Sequence, residues 1–222
     1  MATLNLFGAS GHAKVIIDII NAQGNEVGCL YDDAPHCDEI HDIPVCKASA
    51  AQVSGPLIIS IGSNRVRKII SERYLLEYAT AVHPEAIISP SAKIGNGTVV
   101  MQGAIIQSDA IIGNHCIINS GSSIDHECII GDFVHISPHA TLCGNVKVGE
   151  GSWIGAGATV IPAIKIGRWC TIGAGSVVIR DLPDGSTAYG NPCKIKNQDM
   201  QRTENQSTSD QIRKHMEGGV NT

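Results

Sequence analysis

The sequence predicts two domains of different classes. Residues 1–80 predict an α/β domain of Rossmann type, and residues 81–197 predict an all-β domain, a parallel β-helix of hexapeptide repeats. Every sixth residue from Val82 to Val178 is aliphatic, whereas the residues before this run alternate between strand and helix patterns. Only 4% of the chain is aromatic, so the core must come from regularly stacked aliphatic side chains.

The N-terminal region contains two strand–turn–helix patterns. The first, TLNLFGASGHAKVIIDIINAQG at 3–24, reads as a buried strand, a turn with glycine and an amphipathic helix. A second strand, NEVGCLYDD at 25–33, ends in acids, and GPLIISIGSNRVRKIISERYL at 55–75 repeats the strand–turn–helix theme. These units predict a small parallel sheet.

The first turn and the acids after the second strand are candidates for binding a nucleotide. Gly8, Ser10, Gly11 and His12 stand where a phosphate meets the N-terminus of a helix, although GASGHAK is not the dinucleotide pattern G-x-G-x-x-G. Asp32 and Asp33 could bind ribose or sugar hydroxyl groups, or they could be a solvated strand end.

The repeat defines a triangular coil of three short strands, in which residues 18 apart lie one above another. A second column, four residues after each aliphatic position, is mostly Ala, Ser, Thr or Cys and is predicted to point inward at tight corners. It includes Cys116, Cys128 and Cys170, which we interpret as core filler. Glycine often follows the aliphatic residue and is predicted to have unusual backbone dihedral angles. These glycines are at 95, 113, 131, 149, 155, 167 and 173.

The segment IDHECIIGDFVHISPHAT, residues 124–141, holds three histidines within the repeat. In the 18-residue frame His126 stacks between Ser108 and Gly144, on an outward position beside Glu127. A carboxylate raises the basicity of an imidazole and defines its tautomer, and the Gly144 N–H could receive a developing oxyanion. This arrangement suits acyl transfer, although an outward histidine is often only solvated surface.

His135 lies half a coil from His126, so the two rings are predicted to meet only across an interface between copies of the chain. A zinc site offers an alternative, since carbonic anhydrases of the β-helix class bind metal with three histidines between subunits. The spacing from His135 to His139 is one residue shorter than in that family. We therefore expect no metal.

The chain resembles the sugar O- and N-acetyltransferases of the sialic acid O-acetyltransferase family, which includes UDP-4-amino-sugar N-acetyltransferases. The resemblance covers residues 3–197, and the motifs that carry it are GASGHAKV, GSNRVRKII, the hexapeptide run, IDHECIIGDFVHIS and GNPCK. It implies a left-handed β-helix and a homotrimer with acetyl-CoA between neighbouring β-helices. Cys193 replaces the alanine usual in the last motif.

The resemblance also implies roles for single residues. His126 matches the general base, Glu127 the residue that tunes it, and His135 a residue that contacts the acetyl group or its carrier. Ala156 and Ala174 match the face along which the pantetheine arm runs. Six further positions match the neighbourhood of the nucleotide-sugar: Ser10, Gly11, His12, Asp32, Asp33 and Gly62.

These observations predict an acetyl-CoA-dependent N-acetyltransferase that acts on a UDP-linked 4-amino-sugar in glycan biosynthesis. O-acetylation of sialic acid or another sugar is the alternative within the class; a zinc carbonic anhydrase and a non-catalytic scaffold are alternatives outside it. A net charge of −5 argues against nucleic-acid binding. We expect no membrane span, a cytoplasmic protein with reduced thiols, and a polar, disordered tail at 198–222.

Overall fold

A computed structural model describes residues 2–49 and 51–198. The chain divides into one compact unit up to Ala79 and a second from Thr80. The predicted tail lies outside the described residues, apart from Gln198 at its start. No helix in the described ranges is long and apolar enough to cross a membrane.

The first unit contains a five-stranded sheet and two helices. Its elements are β1 (Thr3–Phe7), α1 (Gly11–Ala22), β2 (Glu26–Asp32), β3 (Glu39–Ile40), β4 (Ile43–Lys47), β5 (Leu57–Ile59) and α2 (Asn64–Arg73). The strand order is β3-β4-β2-β1-β5, and all neighbours are parallel except β3, which pairs antiparallel with β4. The two predicted strand–helix units are confirmed, whereas the β3–β4 hairpin was not predicted.

Hydrophobic burial explains why these segments form this sheet. All three residues of β5 are almost inaccessible, and α1 buries Ile16, Ile17, Ile19 and Ile20 completely. In a parallel sheet the carboxyl ends of the strands share one edge, where the N-termini of the following helices also lie. The loops after β1, β2 and β5 therefore emerge at one edge and bring the candidate nucleotide-binding residues to it.

The second unit is a parallel β-helix, as predicted. Its strands are β6 (Ala81–Val82), β7 (Ile87–Ile88), β8 (Lys93–Ile94), β9 (Val99–Val100), β10 (Ile105–Ile106), β11 (Ile111–Ile112), β12 (Ile117–Ile118), β13 (Ser123–Ile124), β14 (Ile129–Ile130), β15 (His135–Ile136), β16 (Thr141–Leu142), β17 (Lys147–Val148), β18 (Trp153–Ile154), β19 (Thr159–Val160), β20 (Lys165–Ile166), β21 (Thr171–Ile172), β22 (Val177–Val178), β23 (Ser186–Tyr189) and β24 (Lys194–Gln198).

These strands form three faces. The first face contains β6, β9, β12, β15, β18, β21, β23 and β24; the second contains β7, β10, β13, β16, β19 and β22; the third contains β8, β11, β14, β17 and β20. Within the repeats each residue pairs with the one 18 positions later, as Ile106 does with Ile124 and Ile124 with Leu142. The predicted 18-residue coil is therefore confirmed.

Both predicted inward columns are in the core. The second residue of each two-residue strand is aliphatic, and Ile124, Ile136 and Leu142 are each 0% exposed. A buried aliphatic side chain contributes about 1.5–3 kcal/mol to folding, so these columns hold the coils together. The small column is equally buried, and burial raises the pKa of the Cys128 thiol to about 11. The interpretation of Cys116, Cys128 and Cys170 as core residues is confirmed.

The prediction of unusual dihedral angles at the glycines after the aliphatic column is wrong. The left-handed residues lie two positions further on, at the corners from Gly97 to Gly175, and include Glu127, His139 and Asn145 as well as glycines such as Gly157. Gly95, Gly113, Gly131, Gly149 and Gly167 form one column instead, 18 residues apart. A Cβ on Gly131 would lie 2.7 Å from the Glu150 backbone nitrogen of the next coil. Close approach of successive coils is what requires glycine there.

We predict that Gly131→Ala destabilises the second unit by about 1–3 kcal/mol, because the new methyl group forces backbone apart. The measurement is the free energy of unfolding in urea, followed by tryptophan fluorescence, since Trp153 and Trp169 both belong to this unit. Gly157→Asn is the control, because nothing lies within 4 Å of a Cβ at Gly157 and Asn145 has the equivalent left-handed position on another corner. Equal stability of Gly131→Ala and wild type would contradict the steric explanation.

Candidate active site

His126 lies at the corner between the second and third faces, in the turn from β13 to β14. Its backbone N–H donates to Asp125 Oδ1 at 2.7 Å, and the next residue, Glu127, has a left-handed φ of 59°. This turn points both side chains out of the core, and both are more than half exposed. The predicted outward position is thus a corner and not a flat face.

The imidazole of His126 lies between a carboxylate and a glycine. Its Nδ1 is 3.1 Å from Glu127 Oε2, and since a carboxylate only accepts, the proton of this bond is on Nδ1. The lone pair is then on Nε2, which is turned toward the next coil. An ideal Cβ on Gly144 would lie 2.5 Å from Nε2. Only glycine leaves room for the ring in this position, and Nε2 is therefore the nitrogen available as a base.

Gly144 also presents a backbone N–H. Its carbonyl accepts from Ala163 N–H at 2.9 Å, and Asn145 N–H donates to the His126 carbonyl at 2.8 Å, so the ladder holds this corner firmly. Within the described part of the chain no acceptor is hydrogen-bonded to the Gly144 N–H. A base and a backbone N–H donor are therefore adjacent, which is the pair of groups that acyl transfer uses.

His135 occupies a different place, on the outer side of the first face in β15. Its neighbours on that face are Ile117 in β12 and Trp153 in β18. The ring stacks on the Trp153 indole at a centroid distance of 6.1 Å, and its Nε2 is 3.2 Å from Asn119 Nδ2. His126 and His135 thus belong to a corner and a face that one chain does not bring together.

Ala156 and Ala174 lie at successive turns of the corner between the first and second faces, and both are exposed. Gly175 N–H donates to the Ala156 carbonyl at 2.8 Å, which fixes the stacking of the two turns. His139 lies on the same corner, with its ring over Gly121, where a Cβ would be 2.6 Å away. Because these alanines are small and exposed, a ligand could lie against this corner. Their predicted contact with the pantetheine arm stays a prediction.

In the first unit the loop after β1 leads directly into α1. Gly8 has a φ of 113°, and a Cβ there would be 2.6 Å from Ile61 Cγ1. Ser10 is the N-cap, but its side chain makes no capping bond and the first turn has no acid. No described group accepts from the N–H of Gly11 or His12. These donors and the helix dipole suit an anion such as a phosphate.

The two aspartates after β2 have partners within the chain. Asp32 accepts from Ala9 N–H and from Ala34 N–H, each at 2.8 Å, one with each oxygen. Asp33 pairs with Arg73 Nη1 at 2.8 Å. Asp32 therefore stabilises the glycine loop itself, and neither carboxylate is simply a solvated strand end. Binding of hydroxyl groups by either residue stays a prediction.

Sequence analysis did not select Arg67, which is 1% exposed beside this loop. Its Nη1 donates to the carbonyls of Ile61 and Gly62, at 3.1 and 2.9 Å, and so shapes the predicted Gly62 position. Burial and then the Arg67 charge lower the pKa of His12 to about 4, and His12 Nε2 has no partner among the described residues. Arg67 lies between Val66 and Ile70 on the buried side of α2. An arginine at an apolar-face position of this helix is the feature of the sequence that could have indicated its role.

Both units match families of known proteins. Residues 3–74 match the model of the PglD N-terminal domain, and residues 91–126, 109–144 and 145–180 match that of the bacterial transferase hexapeptide (six repeats). The crystal structure of a mutant of perosamine N-acetyltransferase from Caulobacter crescentus, in complex with CoA and GDP-perosamine, is 37% identical with a TM-score of 0.83. That similarity covers 89% of this chain and 97% of the Caulobacter chain. The chain belongs to the hexapeptide-repeat sugar N-acetyltransferases.

Two further members of this family are similar. The acetyltransferase domain of PglB from Neisseria gonorrhoeae is 35% identical with a TM-score of 0.81, over 87% of this chain and 98% of that domain. UDP-N-acetylbacillosamine N-acetyltransferase from Bacillus subtilis is 45% identical over 109 residues. That match spans 44% of this chain and about half of the Bacillus protein, at 50%. The predicted family is confirmed.

The described residues hold no group of three or more His, Cys, Asp or Glu side chains placed to bind a metal within one chain. His135 is in a strand of the first face, and His139 lies on the corner that follows that strand. A zinc site of the kind considered from the sequence would therefore have to be assembled from several copies.

We predict that protonation of His12 destabilises the first unit in acid. The folded pKa is about 4 and the ordinary value 6.5, so between these values only the unfolded chain binds the proton. The free energy of unfolding should fall by about 3 kcal/mol as the pH drops from about 6.5 to about 4. Far-UV circular dichroism reports on this unit, because α1 and α2 belong to it.

The His12→Gln variant should lose this part of the pH dependence, and His36→Gln, which removes an exposed histidine of the same unit, should retain it. The pH dependence of unfolding is measured in urea for all three proteins. An unchanged dependence in His12→Gln would show that His12 titrates as it does in the unfolded chain.

Proposed function

We propose that this chain is an acetyl-CoA-dependent N-acetyltransferase that acts on a UDP-linked 4-amino-sugar. The observation that carries the proposal is the His126 corner, where a base oriented by Glu127 lies against a backbone N–H donor at Gly144. The relatives support the chemistry, since they are named N-acetyltransferases of bacillosamine and perosamine, and the PglB domain was crystallised with acetyl coenzyme A.

The proposed reaction is direct transfer within a ternary complex. The amine nitrogen attacks the thioester carbonyl, a C–N bond forms and the C–S bond breaks. His126 Nε2 takes the proton of the amine and returns it to the departing sulfur, while the Gly144 N–H stabilises the oxyanion. General base catalysis contributes about 10²–10⁴-fold, so correct positioning of the two substrates supplies most of the acceleration.

The first unit would bind the nucleotide of the acceptor. The N–H groups of Gly11 and His12 offer a site for the diphosphate, with Ser10 beside them, and Asp32 holds the loop that presents them. Asp33 and Gly62 end the neighbouring strand loops at the same edge. One relative is named for a UDP-sugar and another was crystallised with a GDP-sugar, so the choice of base is a specific part of this proposal.

An amine acceptor is favoured over the hydroxyl group of sialic acid by the names of the relatives. A zinc hydratase is disfavoured by the relatives, which are named N-acetyltransferases. A scaffold without catalysis would not need glycine at 144. A cytoplasmic location follows from the expected substrates and stays a prediction.

We also propose a homotrimer with active sites shared between chains. The His126–Glu127 pair is too exposed in one chain to be strongly coupled, because solvent screens exposed ion pairs. Ile111 and Ile129 are exposed on the third face and Ile87 on the second face, and a neighbouring chain would cover them. His135 of one chain could then approach His126 of another.

We predict acetyl-CoA consumption with UDP-linked 4-amino-sugars and a loss of kcat by about 10²–10⁴-fold in His126→Ala, with acetyl-CoA affinity nearly unchanged. Glu127→Gln should lose less, because the base remains. The assay uses a panel of UDP- and GDP-linked amino-sugars and sialic acid, with and without a chelator.

His41→Asn is the control, since it removes an exposed histidine in the turn between β3 and β4, and asparagine tolerates the left-handed φ of 51° there. Transfer only to sialic acid would replace the acceptor in the proposal. Activity that disappears with the chelator and returns with zinc would instead make the histidines metal ligands.

We predict that mixed oligomers of His126→Ala and His135→Ala chains regain activity, because some of their shared sites combine two intact histidines. The two variants are mixed under conditions in which subunit exchange is verified by mass spectrometry. Mixing His126→Ala with Glu127→Ala is the control, as those residues lie on one corner. Exchange without any recovery would refute the shared site.

A further inference from the structure

The outer side of the first face carries a hydrogen-bonded cluster around His135, which we define as Asn119, His135, Ser137 and Trp153. These residues lie on three successive coils, because Ile117 pairs with His135 and His135 with Trp153. Trp153 is 48% exposed, yet its Nε1–H donates to Ser137 Oγ at 2.7 Å, and Ser137 is buried. The bond to Ser137 thus holds the indole in place, while about half of the Trp153 side chain stays exposed.

The orientation of the Asn119 carboxamide follows from its second bond. Its Oδ1 accepts from the Ser120 backbone N–H at 2.8 Å, and this bond identifies which end of the carboxamide is the oxygen. Nδ2 must then be the atom that faces His135 Nε2 at 3.2 Å. An amide nitrogen only donates, so His135 Nε2 is the acceptor and carries no proton.

We infer that Asn119 holds His135 as the neutral Nδ1–H tautomer and that Trp153 is a positioning residue which fixes the plane of that ring. The indole and imidazole planes differ by 22°, which is a stacked arrangement, and the Ser137 bond prevents the indole from rotating away. The imidazolium is disfavoured as well, because its Nε2–H would face the donor N–H groups of Asn119.

This inference rests on the proposed function for its consequence, and it divides the work of the two histidines. His126 keeps its proton on Nδ1 toward Glu127 and offers the Nε2 lone pair as a base. His135 accepts from Asn119 with its Nε2 lone pair, so its ring proton is on Nδ1. Whatever His135 binds through Nδ1 must be an acceptor, such as a carbonyl oxygen, and not an ammonium group.

The test is 15N NMR of the full chain labelled at histidine, in which the His135 ring signals are identified by their loss in His135→Gln. We expect the Nδ1–H tautomer in the wild type. Asn119→Asp should change it, because a carboxylate accepts and so favours Nε2–H. Asn96→Asp, which adds the same charge at an exposed corner, should leave the signals as in wild type. An Nε2–H tautomer in the wild type overturns the inference.

The role of Trp153 is tested with two substitutions. Trp153→Phe keeps a ring for stacking but loses the bond to Ser137, and Trp153→Leu loses both. We expect a graded loss of acetyl-CoA affinity, about 5–10-fold in Trp153→Leu and less in Trp153→Phe, with kcat changed less than KM. Tyr189→Leu removes a similarly exposed aromatic residue, 50% exposed, as the control.

Equal effects of Trp153→Leu and Tyr189→Leu would overturn the positioning role. The NMR measurement does not require turnover, so it tests the His135 tautomer independently of the proposed acetyl transfer. If the chain transfers no acetyl group but His135 has the expected tautomer, the proposed function fails and the inference about the ring stands.

Discussion

The hydrogen-bond ladder between successive coils is the constraint on which the β-helix and its site depend. Each rung joins residues 18 apart, as between His135 and Trp153 or Ser123 and Thr141. A slip of one residue would turn the aliphatic column outward, which burial of that column prevents. The same ladder sets His126 under Gly144, since Asn145 N–H bonds to the His126 carbonyl. Core packing and the geometry of the candidate active site are therefore consequences of one register.

Glycine allows close approach between coils at two kinds of position. The reason at both is that glycine has no Cβ. In the column from Gly95 to Gly167 the space is filled by the backbone of the next coil, which keeps the stack tight. At Gly144 the corresponding space is filled by the imidazole of His126. Glycine therefore has the same steric role in the repeat and in the candidate active site, but at Gly144 its neighbour is a histidine side chain and not backbone.

Three histidines show how surroundings decide what the same side chain can do. His12 is partly buried near Arg67, and burial and the Arg67 charge both lower its pKa. His126 is exposed, and its Nδ1 is paired with the Glu127 carboxylate. His135 is held by an amide and an indole. Their sequence neighbourhoods alone do not reveal these differences, since each depends on residues distant in the chain.

The sequence by itself determined the β-helix, its 18-residue coil and the inward columns, because each depends only on a period that residues repeat along the chain. It also placed His126 beside Gly144, since stacking follows arithmetic once the period is known. Other features were decided only by tertiary structure. The glycine column depends on how closely coils approach, Arg67 on burial between loops, and the Asn119 orientation on a backbone N–H at Ser120. Distances between atoms of different coils and loops carry no signature in residue order, and they are what gives these side chains their chemistry.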